Sequence, residues 1–448
     1  MASTYISRAA TGSVTSSTTF TFSFWIKRGT LSSTQYFFIH ENASSHTQKL
    51  ELLFQTDNTI RMGWYDGSSE YNYDTEMLFR DTFAWYNFVF RYDTTQSTDS
   101  NRVRMYVNGE QISYLNANGS SPTYMTQNKA MNLGQKIMAH GRYQSSSPGS
   151  YLTGSLSHIH YCDGQSYAPT SFGETDSTTG EWKIKANPSL TYGNNGYFIL
   201  KDGNRVVNDA GNSSGNFSVS GGTLTKTEDC PSNVFATFMP LVPRETSGDR
   251  NPTFSNGNTT ASFNNANSNL NAVGSIALKG KYYWETKWVS AGSDGSATTG
   301  IVDLSSYDNS FIGNQCVGYE DDGNKINEGT AASYGSSYTS GDIIGTAFDS
   351  TTGTMWFSKN GTWQNSATIS EIAAGTTANS AYTGLSTSVD WLPLATNYQS
   401  RVCNVNFGNG YFGTTAVASA GTNASGNGIF EYDTPTGYTA LSTKGLNL

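Results

Sequence analysis

The chain has 448 residues with a formal net charge of −9, and only 14% of them are charged while 36% are hydrophobic. Ordinary domains run to roughly 100–200 residues, so the length predicts two domains, each with enough apolar residues for its own core. Basic residues are scattered through an acidic chain, which argues against a nucleic-acid partner, and no apolar run approaches about 18 residues, which argues against membrane insertion.

The first segment, Met1-Ala-Ser-Thr-Tyr-Ile-Ser-Arg8, lacks the basic-then-apolar order of a secretory leader. From Thr19 to Lys27 the chain alternates: Phe20, Phe22, Phe24 and Ile26 share one face, with Thr21, Ser23 and Lys27 on the other. Leu50, Leu52 and Phe54 repeat the pattern, turn at Asp57-Asn58, and return through Ile60, Met62 and Trp64 as a predicted hairpin. Residues 85–92, Trp-Tyr-Asn-Phe-Val-Phe-Arg-Tyr, form another strand, and Val103, Met105 and Val107 lead into Asn108-Gly109, a strong hairpin signal. Regular short strands of this kind predict a sandwich.

Phe22-Ser-Phe-Trp-Ile-Lys27, Trp85-Tyr-Asn-Phe-Val-Phe90, Met105-Tyr-Val-Asn-Gly109 and Gly154-Ser-Leu-Ser-His-Ile-His-Tyr161 together resemble a laminin-G-like domain over residues 1–165. The resemblance implies a concanavalin A-like jelly roll with ligand contact through rim loops. Residues 166–249 then become rich in Gly, Asn and Ser, and read as an extension that packs on the first sandwich and ends in a linker.

Further on, Gly280-Lys-Tyr-Tyr-Trp-Glu285 is a strand with aromatics on both faces. Gly341-Asp-Ile-Ile-Gly-Thr-Ala-Phe-Asp349 and Thr354-Met-Trp-Phe-Ser-Lys-Asn-Gly361 flank a Gly-containing turn, which predicts a buried hairpin with a second turn at Asn360-Gly361. Cys403-Asn-Val-Asn-Phe-Gly408 closes the set. In this order these segments resemble a SPRY domain over residues 250–413, which implies a second concanavalin A-like sandwich that binds partners through loops at one end. The fold class expected is therefore all-β, two jelly-roll sandwiches in tandem. Residues 414–448 are weakly patterned and read as a docking tail.

Concanavalin-like folds include glycoside hydrolases, whose two carboxylates stand about 5–9 Å apart across the scissile bond. The nearest sequence matches, Glu174-Thr-Asp176 and Glu320-Asp-Asp322, both run into turns, so no catalytic residue and no enzyme activity are expected. His158 and His160 share a strand face, but a metal would need a third ligand such as His140, and His40 and His46 show no ligand spacing. Asp93 and Asp99 border a loop where laminin-G domains sometimes hold calcium, yet supply few of the six to eight oxygens calcium takes. No metal and no cofactor are expected. Cys162, Cys230, Cys316 and Cys403 lie far apart and read as free thiols by default. Aromatic rings beside polar groups suit sugars, whose rings have apolar faces. The candidates are Trp64, Tyr65, Tyr71 and Tyr73 in the first domain, and Tyr334, Tyr338 and Trp363 in the second. Cross-strand packing is the competing use of such rings.

The tandem sandwiches and the low-charge joining segment resemble structural proteins of marine tailed bacteriophages. That resemblance implies a virion protein on the particle exterior, made in the host cytoplasm. A tail-fibre or receptor-contacting component that adheres to a host-surface glycan or protein is the leading expectation. A capsid decoration or head-fibre protein is the alternative, and a polysaccharide-degrading enzyme a lesser one. Other virion proteins are expected partners, and exposed sheet edges favour a homo-oligomer or multicopy assembly.

Overall fold

The computed structural model describes the chain apart from residues 1–2, 10, 42–47, 116–118, 132–135, 144–146, 186, 202, 213–214, 241–251, 265–269, 293, 304, 306–315 and 448. His46 lies outside the described residues. The chain divides into two compact units, Met1–Lys226 and Thr227–Leu448.

In the first unit an eight-stranded sheet faces a six-stranded one, and all pairings are antiparallel. The Thr19–Arg28 strand lies inside the six-stranded sheet between Gly154–Asp163 and Trp85–Asp93, with Phe22 opposite Tyr161 on one side and Phe90 on the other. Its inward rings Phe20, Phe22 and Phe24 meet Phe38, Leu50, Leu52 and Met62 from the facing sheet, all nearly inaccessible to water. Each such side chain contributes roughly 1.5–3 kcal/mol when fully buried. The predicted hairpins form, with Leu52 opposite Met62. At Asn108-Gly109 both residues have positive φ, 48° and 86°, the primed turn that matches strand twist.

The extension after residue 165 is a third layer through Lys226. Tyr197–Ile199 pairs with Gly154–Asp163 at the edge of the six-stranded sheet, and Ser218–Ser220 pairs with Tyr5–Arg8 at the edge of the other. Phe172, Tyr192 and Phe198 cover Val89, Tyr106 and Cys162 on the outer face of the six-stranded sheet. From Thr227 onward the segment expected to end as linker belongs to the second unit, where Phe235 and Phe238 are core residues.

The second unit pairs a seven-stranded sheet with a six-stranded one. Lys281–Ser290 is flanked by Ile343–Asp349 and Arg401–Asn406, and Ile343–Asp349 pairs in turn with Thr354–Lys359. Tyr282, Trp284, Phe348, Met355 and Phe357 face the main core. Tyr283, Ala347 and Trp356 point the other way and are also buried.

The cover for that second face is Phe430, Tyr438 and Ala440. Residues 414–448, expected to be a docking tail, therefore include a packed layer; the face they cover is apolar enough to require it. Glu285 ties this layer down. Its buried carboxylate accepts hydrogen bonds from the Glu431 and Tyr432 amides, both 2.9 Å, and from Tyr283 and Asn406. Burial pushes its pKa up to about 7 despite these donors.

A carboxyl raised above its ordinary value of 4.5 is protonated in the folded unit where the unfolded chain would release the proton. Its contribution to stability therefore falls as pH rises from about 4.5 to 7. Glu285→Gln, which replaces an acceptor oxygen by a donor, is expected to destabilise the unit by about 1–3 kcal/mol and to flatten this decline. Thermal melts of both proteins across that pH range check both effects.

Candidate functional site

In the second unit the outer face of the six-stranded sheet is covered in part, where Val273, Val302, Cys316 and Leu394 are buried with Met239 and Ala277 packed on them, and the rest of that face carries a surface site. On the outer face of the second unit's six-stranded sheet lies an open cleft of about 450 Å³, within the range of small-ligand pockets. Ala297–Asp303 runs between Trp391–Asn397 and Cys316–Glu320, and Thr298 stands opposite both Thr396 and Glu320. Alternation sends Val317 and Tyr319 into the core, so Glu320 points outward, beside Thr298 and Thr396. Gly300 and Gly318 form the next pair along. A Cβ on Gly318 would stand 2.5 Å from the Thr298 methyl, and one on Gly300 would stand 2.0 Å from the Val317 carbonyl oxygen. Side chains are excluded there, and the surface is hollow. Ile326, Cys316 and Tyr398 complete the apolar part of the lining; the Tyr398 ring is 43% exposed.

The electrostatics are lopsided. Arg401 donates to Asp321, which is wholly buried, and from its second nitrogen to both oxygens of Asp294 at 2.8 Å. Asp294 also accepts from the Ser296 hydroxyl and amide. Asp322 caps its own turn through the Asn324 amide and side chain. Glu320 is 7% exposed, and its carboxyl has no hydrogen-bond or ion-pair partner among the described residues. Burial, then Asp322 and Asp321, push its pKa up to about 7.

The aromatic candidates fall mostly in the cores. Trp64, Tyr71 and Tyr73 face the first unit's interior, and the Tyr73 hydroxyl accepts from the Met125 amide. Tyr65, on the opposite face of the same strand, is half-buried. Tyr338 is fully buried and donates toward the Ala297 and Tyr319 carbonyls. It pins two of the strands that build the cleft. Tyr334 packs edge-on against Tyr319, and Trp363 lies half-buried against Tyr283. Their rings are taken up by strand packing, so they do not gather into one ligand face. Sequence reading missed Tyr398 at the cleft rim and weighed Glu320 only for hydrolysis. The available signal was three consecutive acids, Glu320 to Asp322, with the base that pairs Asp321 distant in the chain at Arg401.

Other sequence candidates are dispersed. Glu174 and Asp176 sit on an exposed hairpin beside Lys183, at 3.5 and 3.2 Å. His140 lies in the core, with Nδ1 on the Phe37 carbonyl and Nε2 on the Tyr197 hydroxyl. His160 is on the outer face, bonded to Tyr192, and a bulge at His158 (φ 47°) breaks the alternation expected to align the two. His40 is buried, and burial drives its pKa down to about 3. Asp93 caps its turn through Thr95 and Gln96, and Asp99 bonds the Ser100 amide. All four cysteines are free.

Comparison with known proteins supports the two-domain composition. Residues 2–165 match the model of the concanavalin A-like lectin/glucanases superfamily, in its laminin-G form, and residues 281–377 match the SPRY domain. No curated protein matches the chain. Among solved structures, a heptameric SAP-like pentraxin from Limulus polyphemus is 14% identical, with 37% of this chain and 71% of that chain covered and a TM-score of 0.27. The SPRY domain of human HERC1 is 17% identical, covering 33% and 87%, with a TM-score of 0.26. The CBM40 of a Ruminococcus gnavus sialidase, solved with α2,3-sialyllactose bound, is 15% identical, covering 33% and 82%, with a TM-score of 0.25.

An ionised Glu320 lacks a partner at high pH, whereas its neutral form and a glutamine are equivalent at low pH. Glu320→Gln is therefore expected to raise the melting temperature by about 2–4 °C near pH 8 and to leave it unchanged near pH 4.5. Paired melts at the two pH values check this.

Proposed function

We propose that this chain is a non-enzymatic adhesion protein of a virion exterior, a phage tail-fibre or receptor-contacting component that holds a host-surface glycan or protein. The observation that carries the reading is the Glu320 cleft: an open, amphipathic pocket with one uncommitted carboxyl. Glycoside hydrolysis in this fold needs a second carboxylate free to act as base or nucleophile. Asp294, the other acid lining the cleft, has both oxygens held by Arg401. Such a site binds and releases without making or breaking bonds. Lectin-type sandwiches accord with contact to carbohydrate or protein, and the low-charge, Asn/Ser/Gly-rich sequence accords with a virion surface. Single contacts of this size are weak; repeated copies on one particle raise avidity by roughly 10²–10⁴ without any new contact.

Purified full-length chain is expected to bind host cells and to block infection by the parent particle when added first. Absence of cell binding at saturating protein sinks the adhesion reading. Hundreds of copies per purified virion would point instead to capsid decoration. Released reducing ends from host polysaccharide would point to an enzyme.

A further inference from the structure

We propose that the Glu320 cleft receives a lysine or arginine side chain presented by a protein partner; this rests on the adhesion reading and names the chemistry of its contact. Four carboxylates, Asp294, Glu320, Asp321 and Asp322, stand at this end of the sheet with Arg401 as the basic residue bonded among them. Arg401 is fully engaged by Asp294 and Asp321. Lys325, on the neighbouring strand, donates to the Ala381 carbonyl and lies against Tyr334 and Tyr382, away from the cleft. The charge balance therefore calls for an incoming cation.

That cation is organic. Among the described residues no three ligating side chains come together to hold a metal ion, so a bare ion would lack the oxygens it needs. The lining fits a basic side chain instead. Ile326, backed by the buried Cys316, offers apolar surface to its methylene stem, and the exposed Tyr398 stands at the rim for its charged head. Glu320, desolvated and without a partner, supplies the charge-assisted hydrogen bond. A neutral sugar would meet the hydroxyls of Ser296, Thr298 and Thr396 equally well but would leave the excess negative charge uncompensated.

Titration follows from the same geometry. The groups around Glu320 among the described residues are Asp321, Asp322, Asp294 with its Arg401, Tyr398, Cys316, Tyr338 and Tyr382; burial pushes the Cys316 thiol up to about 12 and raises both tyrosines, so all three stay neutral. With Glu320 near 7 in the free protein, a bound cation draws it into the ionised form. Affinity for the cation then falls as pH drops below about 7.

The test uses the full chain and end-capped Gly/Ser peptides that differ in one central residue, Lys, Arg or Gln, read by surface plasmon resonance. At about pH 8 the Lys and Arg peptides are expected to bind about tenfold tighter than the Gln peptide, and at about pH 5.5 this preference is expected to vanish. Glu320→Gln is expected to erase it at both, and Glu174→Gln, on an exposed hairpin of the first unit, to leave it intact. Melting of the Glu320→Gln protein at or above the wild-type temperature excludes unfolding as the cause. Equal binding of the three peptides, no binding of any, or a preference that survives Glu320→Gln overturns the inference. Cell binding that persists in Glu320→Gln without a lysine preference leaves adhesion standing and removes this pocket from it. A lysine preference without cell binding does the reverse.

Discussion

A strand with large apolar side chains on both faces has to be covered twice, and that constraint organises both halves of this protein. In Lys281–Ser290, Tyr282 and Trp284 face one way while Tyr283 and Glu285 face the other, and Thr354–Lys359 divides Met355 and Phe357 from Trp356 in the same manner. A two-layer sandwich covers one face only. The chain meets the demand by folding a later segment back as a third layer: Phe172, Tyr192 and Phe198 in the first unit, Phe430, Tyr438 and Ala440 in the second. In the second unit part of the other sheet's outer face is covered as well, around Val302 and Leu394, and the open cleft lies beside that covered part.

The third layer brings polar backbone into the interior, and each such group needs a partner. Glu285 answers two amides at once, which is why a buried carboxyl is tolerated there. Arg142 and Glu41 are a similar case in the first unit, nearly inaccessible and paired at 3.1 Å. Breaking such a pair costs several kcal/mol, because the survivor is left charged and dry. Against that background Glu320 stands out. Its neighbours Asp321 and Asp322 have partners, and among the described residues its carboxyl has none. The penalty is built into the free protein and is relieved when a cation arrives, which is the ordinary way a strained or desolvated group becomes a binding determinant.

Much of the architecture was legible before any coordinates. Period-two alternation in Thr19–Lys27 set its inward face, two apolar runs around a Gly-containing turn marked the 341–361 hairpin as buried, and Asn108-Gly109 and Asn360-Gly361 set two turns through residues that tolerate positive φ. The candidate aromatics were less legible for a physical reason. Tyr73 and Tyr338 carry a hydroxyl that suits a sugar and suits a buried hydrogen bond equally, and local pattern does not distinguish the two uses. Residues 166–249 read as an extension ending in a linker, and 414–448 as a tail, because the residues that cover a face there, such as Phe172 and Phe430, are isolated rather than set in an alternating strand.

What the sequence determined by itself was therefore local: which residues alternate, where the chain turns, and that the result is two β-sandwiches. What only the tertiary structure decided was which acid lacks a base. Arg401 lies about eighty residues beyond Asp321 in the chain, and its guanidinium reaches Asp321 and Asp294 but not Glu320. Spacing along a strand says which side chains share a face; it says nothing about which distant cation will arrive to neutralise them. That pairing is set by strand order across the sheets, and it leaves Glu320 as the group free to meet a partner.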